Sequence, residues 1–119
     1  MEIKWIEYKG KQILYCDYRG AKNDRDMIDH INRFADILRK QPGKTLSISN
    51  FENTVVSTAF MGEAKRLGSE VGINKMGKSA QLGITGLKKI MLDGYNAATG
   101  QKDNKMFPNE EEAKEWLVS

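Results

Sequence analysis

The chain has 119 residues, with 19 Lys and Arg against 16 Asp and Glu and a formal net charge of +3. That length suits one domain, residues 1–119, able to bury a core without cross-links or metals, and apolar residues spread along the chain argue against disorder. A single cysteine and a single histidine exclude a disulfide framework and a zinc cluster, while charges this scattered do not specify nucleic acid.

Glu2, Lys4, Glu7, Lys9 and Lys11 interrupt every apolar stretch near the start, so the expectation is no signal sequence, no stable membrane insertion and, with Cys16 unpaired, a reducing cytoplasm. Charge is uneven along the chain. Lysines dominate from Lys65 to Lys105, and Glu110, Glu111, Glu112 and Glu115 dominate the tail.

Ile3 to Tyr8 and Gln12 to Tyr18 are rich in aromatic and β-branched residues and flank Lys9-Gly10-Lys11, which predicts an antiparallel hairpin. Met27, Ile31, Phe34, Ala35 and Leu38 recur at helical spacing, with Asn23 or Asp24 as a cap and Gln41-Pro42-Gly43 as a stop. Thr45 to Asn50 alternates polar and apolar residues, as does Ala80 to Thr85, so each reads as a strand with one buried face. Between them Phe60, Ala64, Leu67 and Val71 form a helical stripe behind the caps Ser57 and Thr58. A third helix is expected after Thr85, with Leu87, Ile90, Met91 and Gly94 inward. Lys105 to Phe107 reads as a short extended piece, and Asn109 with Glu112 caps a last helix bearing Ala113, Trp116 and Leu117.

The expected fold is therefore α/β, a mixed sheet of four to five strands that opens with an antiparallel hairpin and continues with parallel strands. Right-handed crossovers place the first three helices on one face. The other face is expected to carry Ser47, Ser49, Gln81 and Gly83, covered by water, the tail helix or a partner.

Gly72 to Ser79 matches the phosphate-loop pattern G-x-x-x-x-G-K-S letter for letter. That motif needs a strand before the loop and a helix after it, so that backbone N–H groups converge on phosphate. Here a helix precedes and a strand follows, so no nucleotide site is expected. Gly83 to Lys89 has the better geometry: Thr85 as a cap, Gly86 for close approach, and Lys88 and Lys89 in the first turn make these four the anion or ligand candidates. Asn50 to Thr58 lies at the carboxyl end of a parallel strand, where open α/β sheets place functional loops. Asn50, Phe51, Ser57 and Thr58 are its partner-binding or phosphorylation candidates. No catalytic residue, metal site or cofactor is expected, because Cys16, Asp17 and His30 offer no partnered acid–base set.

Three segments taken together, Gly10 to Gly20, Ala80 to Lys89 and Phe107 to Leu117, resemble the STAS/SpoIIAA-like family of small bacterial proteins over nearly the whole chain. The resemblance implies a STAS fold, related in shape to lipid-binding SEC14 domains, and a role like that of the anti-sigma-factor antagonists that bind a partner kinase. Those members carry an Asp-Ser-Ser-Gly segment whose serine is phosphorylated. This chain has Asn50 to Thr58 there instead, with Ser57 or Thr58 in the corresponding place. Two functions follow as expectations: a non-enzymatic regulatory module docking an unknown protein, or a SEC14-like carrier of a lipid or other small apolar or anionic ligand. A homodimer is allowed by the exposed edge of the first strand.

Overall fold

The computed structural model describes all residues, 1–119. Five strands form one sheet in chain order: β1 (Ile3–Tyr8), β2 (Lys11–Asp17), β3 (Thr45–Asn50), β4 (Met76–Leu82) and β5 (Asn104–Phe107). The first pair is antiparallel and the remaining pairs are parallel. Lys9 and Gly10 make the hairpin turn, both at positive φ. The helices are α1 (Asp24–Arg39), α2 (Thr58–Leu67), the single turn α3 (Ile73–Lys75), α4 (Leu87–Thr99) and α5 (Glu110–Leu117). A π-helical turn, Gly68–Gly72, joins α2 to α3. Gly68 packs closely there: a Cβ would sit 2.6 Å from the Tyr95 hydroxyl and 2.8 Å from the Thr99 methyl on α4, so those side chains would have to shift. None of the helices is long and apolar enough to cross a membrane.

Three caps follow from side chains that accept from the first turn: Asn23 from Asp26 N, Ser57 from Phe60 N and Asn109 from Glu112 N. The crossovers through α1, α2 and α4 all lie on one flank of the sheet. There Leu14 and Cys16 meet Met27, Phe34, Leu38 and Phe60. On the other flank α5 lays Ala113 and Leu117 over Ile13, Tyr15, Ile48, Ala80 and Leu82.

This assignment inverts the expected faces of β3 and β4. Ser47 pairs with Leu14 and Ser49 with Cys16, while Ser79 and Gln81 pair with Ser47 and Ser49. The polar rows therefore point at the three-helix flank, and the apolar rows lie under the tail helix. Strand β4 also begins at Met76, earlier than the alternation from Ala80 implied, and it ends where Gly83 turns the chain at φ +76.

The inner face of α4 differs too. Met91, Leu92 and Tyr95 face inward, whereas Leu87 and Ile90 are 66% and 69% exposed. Gly94, expected on the inner face, is exposed, and a Cβ there would meet no heavy atom within 4 Å. Thr85 provides no cap: Gly86 holds the N-cap position at φ 58 without a side-chain bond. With Gly83 bending the chain just before it, the helix starts from backbone geometry that only glycine adopts freely.

Candidate functional site

Turning polar residues toward helices creates a cavity of about 90 Å³ between the sheet and α1, α2 and α4. One buried water needs roughly 10–15 Å³ on such a measure, so the space holds several waters or a compact organic molecule. Its floor is polar, built from Ser49, Ser79, Gln81 and Asn104 on β3, β4 and β5. These four are between 2% and 9% exposed. Its walls are apolar: Tyr18 stacks on Phe51 with ring centroids 4.4 Å apart, and Phe60 stands edge-on to both. Met61, Met91 and Tyr95 complete the helix side.

The floor is hydrogen-bonded within itself. Ser47 Oγ and Ser79 Oγ are 2.9 Å apart, and Gln81 Nε2 donates to Ser79 Oγ at 3.2 Å and to Asn104 Oδ1 at 2.8 Å. Buried polar side chains are normally satisfied in this way, and their presence on a cavity floor keeps polar atoms within reach of an occupant.

Lys88 is the one charged residue lining the cavity. Its ammonium donates to the main-chain oxygens of Phe51 at 2.9 Å and Gly83 at 3.2 Å. No carboxylate faces it, and partial burial alone holds its pKa below the usual lysine value. An ammonium has three N–H donors, so two carbonyls leave it able to receive an anion.

Gly83 makes this corner possible. A Cβ there would collide with the Glu52 main-chain nitrogen and stand 2.6 Å from Glu52 Cα. The two connections after β3 and β4 thus cross in contact, and the Lys88 side chain reaches both.

The residues singled out by sequence fall into three groups. Lys88 reaches the cavity, and Phe51 contributes its ring to the wall and its carbonyl to Lys88. Asn50 is buried, donating to the Tyr15 hydroxyl at 3.0 Å and accepting from Glu52 N at 3.0 Å. Neither Asn50 nor Phe51 offers its side chain to a docking partner, because both are committed to packing or turn bonds. Ser57 caps α2, Thr58 is exposed at its first position, and Thr85, Gly86 and Lys89 lie on the surface. Ser49, Ser79, Gln81 and Asn104 were missed as site residues, although the alternation placed Ser49 and Gln81 on one face.

Elsewhere the polar groups have structural duties. Burial pushes the Cys16 thiol up to about 12, which disfavours the nucleophilic thiolate. Partial burial raises the Asp17 carboxyl, but hydrogen bonds from the Arg19 guanidinium and N–H outweigh it and leave its pKa below the usual value. The phosphate-loop letters are dispersed: Gly77, Lys78 and Ser79 lie inside β4, and Lys78 Nζ donates to the main-chain oxygens of Trp116 and Ser119 at the end of α5. No group of three His, Cys, Asp or Glu side chains is placed to hold a metal ion. No family model matches the chain, and neither a curated protein nor a solved structure is significantly similar to it.

Proposed function

We propose that this protein binds a small organic anion with an apolar body in the cavity between the sheet and α1, α2 and α4. The observation that carries the reading is Lys88, a cation without a counter-charge on the lining of a cavity with apolar walls and a neutral polar floor. A partly desolvated ammonium held by carbonyl dipoles gains from an acid group placed beside it, since charge-assisted bonds are roughly twice as strong as neutral ones. The aromatic and methionine walls supply contact area for the rest of the molecule. Binding requires no catalytic step, and the reading is of a carrier or sensor.

The test is native mass spectrometry of freshly purified protein followed by thermal shifts. A copurifying anion, or a rise in Tm with phenylacetate or octanoate and none with phenethylamine, supports the reading. A clean apo mass with no shift for any carboxylate at millimolar concentration defeats it.

A second reading, a regulatory module docking another protein, is favoured by one observation: Val55, in the connection before α2, is 86% exposed. Ser57 and Thr58 lie beside it at a helix N-terminus, where added phosphate is stabilised by the helix dipole. A purified interacting protein whose affinity is unchanged by Val55→Asp would remove this reading.

A further inference from the structure

The cavity has a second polar pole besides Lys88, and a relay of amides fixes its sense. Asn96, on α4, donates from Nδ2 to the main-chain oxygen of Asn104 at 3.1 Å. A main-chain carbonyl only accepts, so this contact decides which end of the Asn96 amide is which. Asn96 Oδ1 then accepts from Asn104 Nδ2 at 2.9 Å. Asn104 Oδ1 is left to accept from Gln81 Nε2 at 2.8 Å, and the second N–H of Gln81 goes to Ser79 Oγ.

Both donors of Gln81 are thus used inside the protein, while its Oε1 accepts from no protein group. Gln81 is only 9% exposed, yet Oε1 is not sealed off: His30 Nε2 is the one fully enclosed side-chain N or O atom without a partner. For a residue on the cavity floor, the open space beside that oxygen is the cavity. The Tyr95 hydroxyl, also on the lining, accepts from Gln101 Nε2 at 2.9 Å and retains its own proton.

We infer that the occupant is a compact aromatic carboxylate bearing a hydrogen-bond donor, its acid group on Lys88 and its hydroxyl or amino group on Gln81 Oε1. This rests on the binding reading above and narrows its ligand class. Three observations converge on it. The amide relay presents an acceptor that only a donor satisfies, and a simple acyl chain would leave it unpaired. The Lys88 ammonium bonds to the carbonyl of Gly83, two residues beyond Gln81 in the chain, and Lys88 and Gln81 line the same cavity, so one small molecule can face both. The volume of about 90 Å³ and the Tyr18, Phe51 and Phe60 rings suit one aromatic ring better than a long chain.

The experiment compares three probes by calorimetric titration: phenylacetate, 4-fluorophenylacetate and 4-hydroxyphenylacetate. The fluoro compound matches the hydroxyl in size without donating. The expected result is binding of 4-hydroxyphenylacetate about tenfold tighter than the other two, in keeping with one buried hydrogen bond, and loss of that advantage in Gln81→Met. Equal affinities of the three for the wild-type protein overturn the inference and leave the binding reading intact. Absence of binding by all three and by octanoate removes both. If Gln81→Met does not fold, the hydroxyl-to-fluorine comparison on the wild-type protein decides alone.

Discussion

The Lys88 ammonium donates to the main-chain oxygen of Phe51 at 2.9 Å, tying the start of α4 to the connection that follows β3. Two candidates far apart in sequence therefore meet at one corner of the cavity, and Lys88 is the charged residue on its lining.

Lys88→Met keeps the aliphatic stem and removes the charge. Hydrogen bonds to charged groups contribute about 1.5–3 kcal/mol, so carboxylate affinity should fall on the order of 10- to 100-fold. Folding stability should change by less than about 1 kcal/mol, because the loss of two carbonyl contacts is offset by relief of the ammonium's desolvation. Urea melts and a phenylacetate titration read the two effects separately. An unchanged affinity would show that the ammonium faces away from the ligand.

The inversion of the two faces of β3 and β4 relative to the sequence pattern has a physical reason. Alternation in Thr45–Asn50 and Ala80–Thr85 separates two faces but carries no information about which flank receives which. The deciding signal is β2, where Ile13, Leu14, Tyr15 and Cys16 run apolar on both faces and are all buried. A strand apolar on both sides demands cover on both sides, which assigns α5 to the flank opposite the crossovers. The caps at Asn23, Ser57 and Asn109 and the opening hairpin were legible because each depends on local chemistry. The amide relay was not, since Asn96, Asn104 and Gln81 come together only through the pairing of β4 with β5. The inward face of α4 was unreadable for a related reason: its apolar residues occupy more than one face, and the cavity takes Met91, Leu92 and Tyr95 while Leu87 and Ile90 point outward.

Two glycines should respond to alanine with opposite signs. Gly83 has φ +76 and its Cβ would strike Glu52, so Gly83→Ala should cost more than about 3 kcal/mol through strain and steric overlap. Gly94 lies exposed inside α4 with free space around it, so Gly94→Ala should stabilise by about 0.5–1 kcal/mol. Denaturant midpoints measure both. Equal and small effects would contradict the crossing of the two connections.

Leu117 is 1% exposed and lies with Ala113 against Ile13, Ile48 and Leu82. Leu117→Ala should cost about 2–4 kcal/mol in a chemical melt. Because α5 covers the flank opposite the cavity, ligand affinity measured well below the midpoint should not move. A loss below about 1 kcal/mol would mean that the tail helix is not docked as described.

The phosphate-loop letters make a separate negative prediction. Lys78 is engaged at the end of α5 and Ser79 bonds to Gln81 within the floor, so neither is free to serve phosphate or magnesium. Magnesium-ATP at millimolar concentration should leave Tm unchanged within error. A rise of several degrees would require a helix to emerge after Ser79.

Stability should also depend on His30 near neutral pH. The ring is buried, accepts from Arg33 Nη2 at 2.9 Å through Nδ1, and meets the Tyr18 ring edge at a centroid distance of 5.0 Å. Burial first, and the Arg33 charge second, hold its pKa below the ordinary value of 6.5. The unfolded chain therefore takes up the proton before the folded one does. The contribution of His30 is fully present above about pH 6.5 and is lost as pH falls through the depressed folded value. Asp17 also has a depressed pKa, but its window lies below the usual carboxylate range and does not overlap. Urea melts between pH 8 and pH 5 should show stability falling on the acid side, and His30→Phe should flatten that slope even if it lowers stability throughout. A slope unaltered by the substitution would place the titrating group elsewhere.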